Sequence, residues 1–201
     1  MTRLTSSFYQ RKDVVNQARE LIGKVVCTFI NGRYTSGVIT ETEAYAGITD
    51  RASHAYGNRK TSRTEPMFAN GGIAYVYLCY GIHSLFNVVT AGDGEPHAIL
   101  LRAIEPLEGI EIMEERRKMK RGSKHFSGGP GTLSIALDIT LKQNRSDLEG
   151  NEIWIEDRHI VVSPDEMLVT PRIGVGYAGE DAKLLYRFVW KKVLPAKFRN
   201  A

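Results

Sequence analysis

The 201-residue sequence predicts a single α+β domain over residues 1–201, with a mostly antiparallel curved sheet, flanking helices and one protruding β-hairpin. Three observations lead there. β-rich runs outnumber helical ones, and tight-turn signals join them. Strand and helix do not alternate in the way that builds a parallel sheet. A hydrophobic share of 42% with 25% charged residues is ordinary for a globular chain, and a core of this size needs no staples.

Residues 13–22 read as a short helix. Asp13 suits its N-cap, Val14, Ala18, Leu21 and Ile22 share one face, and Gly23 suits its stop. Residues 24–30 and 34–45 read as strands joined by the turn pair Asn31-Gly32. A polar, basic loop over 47–69 leads into Asn70-Gly71-Gly72. Residues 73–79 and 84–90 are β-rich and flank Tyr80-Gly81-Ile82-His83, the second hairpin. Residues 98–104 read as a buried strand that Glu105-Pro106 ends, with Pro106 in the first turn of a helix turning Leu107, Ile110 and Met113 inward. That helix runs into Arg116, Arg117, Lys118, Lys120, Arg121 and Lys124. The loop Ser127-Gly128-Gly129-Pro130-Gly131 precedes a short helix through Leu137, and 152–156, 160–162, 172–176 and 184–190 read as strands.

Cys27 and Cys79 lack CxxC spacing and read as small buried residues in a reducing compartment. The first residues carry no apolar signal core, and no stretch approaches a membrane span, so the expected location is cytoplasmic, without membrane contact. A DNA-binding protein there would sit at the nucleoid in a bacterium or the nucleus in a eukaryote. The net charge of +4 does not by itself indicate nucleic-acid binding.

The densest polar cluster in a strand is Glu41-Thr42-Glu43-Ala44-Tyr45, whose period-two alternation puts Glu41, Glu43 and Tyr45 on one face. Two such close carboxylates would raise the proton affinity of one and suit it to acid or base work. The same spacing also fits the solvated face of an edge strand. Tyr75 and Tyr77 share a face, which ordinary strand packing explains, but Tyr80 at a hairpin tip beside Gly81 and Ile82 has no core to join. Arg59, Lys60 and Arg63 form a basic loop with Thr61 and Ser62, suited to phosphates; Arg116 to Lys124 is a second basic run. Each also fits a solvated surface. No H-E-x-x-H, His-Cys zinc spacing, G-x-S-x-G or P-loop lysine occurs, so nothing points to a metal or another cofactor.

These blocks, in order, resemble the alkyladenine (methylpurine, 3-methyladenine) DNA glycosylase family. The resemblance rests on Glu41 to Tyr45, Ala52-Ser53-His54, Met67-Phe68, Tyr75 to Tyr77, Tyr80-Gly81, Asn87-Val88, Leu100 to Gly109, Ser127 to Gly131 and Arg172 to Gly179. It implies a monofunctional glycosylase that acts as a monomer on double-stranded DNA, flips out a damaged purine and hydrolyses its bond to the sugar, leaving an abasic site. By the same resemblance, Glu43 activates the attacking water and Arg102 helps position it. Tyr45, His54 and Tyr77 grip the base, and Asn87 crowds the exocyclic amino group of guanine. Tyr80 intercalates, with Ile82 as an apolar neighbour where the family has methionine. Thr132 departs from a lysine common in the family.

Physical chemistry accommodates that reading. Extruding a base costs a few kcal/mol, which a wedge at Tyr80 would partly offset. An alkylated, cationic purine stacks well between tyrosines and is a good leaving group, so a carboxylate that activates water suffices. A binding-only module and an O-glycoside hydrolase built on Glu41 and Glu43 are the alternatives; the first would dispense with Glu43, and the second would lack a projecting aromatic tip.

Overall fold

The computed structural model describes residues 1–123 and 125–191. Its centre is one antiparallel sheet in the order β1 (Thr2–Arg3), β7 (Ile153–Asp157), β2 (Val25–Ile30), β3 (Arg33–Tyr45), β6 (His97–Glu108), β5 (His83–Thr90), β4 (Ala74–Cys79). β3 is 13 residues long, enough to pair with β2 along its first half and with β9 (Arg187–Trp190) along Glu41 to Glu43. β8 (Met167–Thr170) pairs in turn with β9. The α+β class and the mostly antiparallel sheet are therefore as the sequence predicts.

Helix α2 (Val14–Glu20) starts where expected: the Asp13 side chain accepts from the Asn16 amide at 3.0 Å. It buries Val14, Gln17 and Ala18 against the sheet, and the Thr42 hydroxyl donates to the Ala18 carbonyl at 2.7 Å. Helices α3 (Ile110–Arg117) and α4 (Pro130–Leu137) pack on one another, α4 also lying on β5 and β6. The short helix α1 (Ser6–Tyr9) and strands β1 and β8 have no sequence counterpart in our reading. Phe86, Ile99, Leu101, Met113 and Leu133 belong to the main core, and a smaller cluster around Met67, Phe68 and Tyr75 forms the floor beneath the 47–69 loop.

Three expectations need correction. Pro106 does not open a helix: β6 continues to Glu108, and Pro106 sits opposite Gly37 at a register shift, where the ladder does not need the N–H that proline lacks. Leu107 is thus buried from a strand and Met113 from α3, which starts only at Ile110. Residues 160–162 form no strand, because the Asp157 carboxylate accepts from the His159 amide at 2.8 Å, turning the chain away from the ladder at the end of β7. Residues 172–176 form no strand either. Gly174 has φ of +76°, outside any extended geometry, and the segment bends over β3 instead.

Candidate active site

Glu43 has no exposed surface. It lies on β3, which is interior to the sheet, so the edge-strand reading of the Glu41–Tyr45 block is excluded. The alternation prediction holds: Glu41, Glu43 and Tyr45 share partners on one face. The two carboxylates are not left in bare repulsion, however. β6 and β9 flank β3 here, and each supplies an arginine. Arg102 Nε donates to Glu41 at 2.7 Å and its Nη1 to Glu43 Oε2 at 3.3 Å, while Arg187 Nε donates to Glu41 at 2.6 Å.

Two further donors complete the shell of Glu43. The Tyr45 hydroxyl donates to Oε2 at 2.9 Å and the backbone N–H of Ile173 to Oε1 at 2.7 Å. Burial, then the neighbouring Glu43 carboxylate, push the Tyr45 phenol well above its ordinary range, so it stays protonated and donates. Glu43 itself does not line the adjacent cavity of about 430 Å³; its donors Tyr45, Arg102 and Ile173 do. The carboxylate stands one layer behind the wall.

The same cavity gathers His54, Tyr77 and Asn87. His54 and Tyr77 meet edge to face, with centroids 4.7 Å apart, and His54 Nδ1 lies 3.0 Å from the Tyr75 hydroxyl. Burial, then Arg63 and Arg59, push the His54 imidazole down to about 4, so it is neutral at pH 7. Asn87 Nδ2 donates to the carbonyls of Tyr75 at 3.1 Å and Leu85 at 3.3 Å, which fixes its side chain across the hairpin. The tyrosine rings are not bare: the Arg172 guanidinium lies 4.8 Å from the Tyr45 centroid, and that of Arg63 4.8 Å from Tyr77.

At the rim, Tyr80 is 93% and Ile82 74% exposed, on the turn between β4 and β5. Tyr80 has φ of +51° and Gly81 of +71°. A left-handed conformation suits glycine but costs an aromatic residue roughly 1 kcal/mol, and here no core contact offsets it. Arg59 and Arg63 line a second cleft beside the first, together with Arg51, and Lys60 lies over Phe68 with its Nζ 5.2 Å from the ring centroid. The second basic run is partly paired with carboxylates. Arg116 pairs with Asp138, Lys120 with Glu114 and Arg121 with Glu105; Lys124 lies outside the described residues. Thr132 bonds within α4, its hydroxyl donating to the Gly129 carbonyl at 2.8 Å. Cys27 is buried, its thiol pushed up to about 12 chiefly by burial, whereas Cys79, expected to be buried too, is half-buried at the end of β4, where it borders the cavity.

The sequence reading missed the far side of the site. Tyr177, 71% exposed, borders both cavities and donates to the Ala52 carbonyl at 3.1 Å. The Ile173 amide reaches Glu43 across 130 residues of chain. The Arg172 to Gly179 block helped carry the resemblance, but no role was given to its residues; Gly174 and Gly176, at alternate positions, should also have argued against a strand.

Comparisons with known proteins agree with one another. The family model for methylpurine-DNA glycosylase (MPG) matches residues 7–193. A Chlamydia felis protein is 46% identical over 92% of this chain and 95% of its own length. A Clostridium acetobutylicum protein is 43% identical over 94% of each chain. Both are named, provisionally, as 3-methyladenine DNA glycosylases.

Proposed function

Because the chain belongs to the methylpurine-DNA glycosylase family, hydrolases acting on N-glycosyl bonds in DNA, we propose that Glu43 is the general base of that hydrolysis here. The carrying observation is the shell around it: a buried carboxylate directly behind a cavity of about 430 Å³, held by donors on both oxygens. The weakest of these contacts is that of Arg102, at 3.3 Å. A water inserted between Arg102 and Glu43 touches both, so Arg102 orients it while Glu43 draws off its proton as it attacks the sugar. The negative charge then stabilises the cationic sugar of the transition state.

Tyr45, Tyr77 and neutral His54 form the walls for the flipped purine, and Asn87 limits the room at its edge. Methylation at N3 or N7 leaves the purine electron-poor, which favours stacking and makes it a better leaving group. Tyr80, with Ile82, fills the gap in the duplex, and Arg59, Lys60 and Arg63 hold the backbone of the flipped strand. The enzyme works as a monomer, without cofactor, on double-stranded DNA in the compartment that holds it. Among the described residues no helix is long and apolar enough to cross a membrane.

Glu43→Gln tests the assignment. Single-turnover release of methylpurines from a methylated duplex should fall by at least about a thousandfold, with affinity for the duplex nearly unchanged. Near-normal release would remove Glu43 from the mechanism.

A further inference from the structure

Arg172 adjoins two of the three donors to Glu43, the Tyr45 ring and the Ile173 amide, and nothing in the proposed chemistry uses it. Its side chain has 0% exposure and that of its partner Asp50 1%. The pair is bidentate: Nη1 donates to Asp50 Oδ2, and Nη2 to Asp50 Oδ1 at 2.8 Å. Nη1 also donates to the Ala44 carbonyl at 2.8 Å and Nη2 to that of Asp181 at 3.2 Å. Asp50 in turn accepts from the amides of Ala46 and Ala52, each at 3.0 Å. One ion pair therefore ties three segments together: the end of β3, the loop after it, and the 172–182 segment.

Removing two charges from water costs several kcal/mol per ion, so such a pair is weak evidence for stability alone. Its placement says more. Arg172 precedes Ile173, whose N–H holds Glu43 Oε1, and its guanidinium packs 4.8 Å from the ring of Tyr45, whose hydroxyl holds Oε2. We propose that Arg172, locked by Asp50, is a positioning residue that holds two of the three donors of Glu43, Tyr45 and Ile173, at once and so fixes the carboxylate toward the water. This rests on Glu43 being the base. It also explains how the carboxylate keeps one orientation beside a cavity that must admit water: neither donor can swing away without moving Arg172.

The test compares Glu43→Gln, Arg172→Gln, Ile173→Pro and Ile173→Ala, by single-turnover release of methylpurines and by affinity for an undamaged duplex. Ile173→Pro removes the N–H that bonds Glu43 but also fixes the local backbone and replaces the side chain, so Ile173→Ala is its control; on a half-exposed residue this pair carries the test if Arg172→Gln does not fold. Displacing a reacting group by about 1 Å costs around a hundredfold. Arg172→Gln and Ile173→Pro should therefore each lose roughly 10- to 100-fold in rate, with duplex affinity within about threefold, and Ile173→Pro should lose clearly more than Ile173→Ala, which keeps the N–H. A purely structural role would lower rate and affinity together, or leave a folded variant at the wild-type rate; either result overturns the proposal. A wild-type rate in Glu43→Gln would instead overturn the reading beneath it.

Discussion

Glu41 receives two guanidinium groups, Arg187 at 2.6 Å and Arg102 at 2.7 Å, and so acts on the reaction only through where it holds Arg102. Glu41→Gln should slow single-turnover release by about tenfold, far less than Glu43→Gln, because Arg102 loses an anchor but remains beside the water. Equal losses would make the carboxylates interchangeable and return the pair to the sugar-hydrolase geometry. His54 carries a pH prediction. Its folded value, lowered from 6.5 to about 4, means that the folded state binds the proton less readily than the unfolded chain. Its contribution to stability is complete above the unfolded value and is lost as pH falls from 6.5 toward 4. Thermal melts of His54→Asn should therefore fall less steeply than wild type across that window; a parallel decline would show that His54 is not buried as a neutral ring. The shared face of Glu41, Glu43 and Tyr45 was legible from strand alternation, whereas the role proposed for Glu43 came from the family resemblance. Asp50 and Arg172 stand 122 residues apart, and no local pattern pairs them.

At the scale of elements, the β4–β5 hairpin is the part the sequence described best, since two β-rich runs and a glycine leave only the tip for Tyr80. Tyr80→Ala should lower single-turnover release about five- to hundredfold on a paired lesion, from a loss of roughly 1–3 kcal/mol of stacking. The loss should shrink on the same lesion opposite a gap, where extrusion costs less. Equal losses on both substrates would mean that Tyr80 supports the fold or the cavity. The elements read wrongly failed for identifiable reasons. Pro106 looks like a helix start because proline favours that position, yet a register shift in β6 accommodates it equally well. Residues 160–162 and 172–176 have strand composition, but extended pairing also needs a partner edge, which a single segment cannot reveal.

Across the whole molecule, the modest net charge of +4 conceals an uneven distribution. In the run from Arg116, Arg116, Lys120 and Arg121 each pair with a carboxylate of this chain, whereas Arg59 and Arg63 border an open cleft beside the cavity at Tyr45 and Tyr77. Affinity for duplex DNA should fall with salt, and Arg59→Ala should reduce the log–log slope by about 1, as expected for one lost phosphate contact. Lys120→Ala should leave that slope unchanged; the opposite pattern would move the DNA surface to α3. The central claim concerns what the assembled site does to its substrate. Its most direct test is to incubate a methylated duplex with the protein and count free methylpurines, abasic sites and strand breaks together, with borohydride present in a parallel sample. Water activated by Glu43 predicts one abasic site for each base released, an unbroken strand and no trapped adduct. Strand breaks in step with release, or a protein–DNA adduct on reduction, would instead indicate an amine nucleophile and contradict the account.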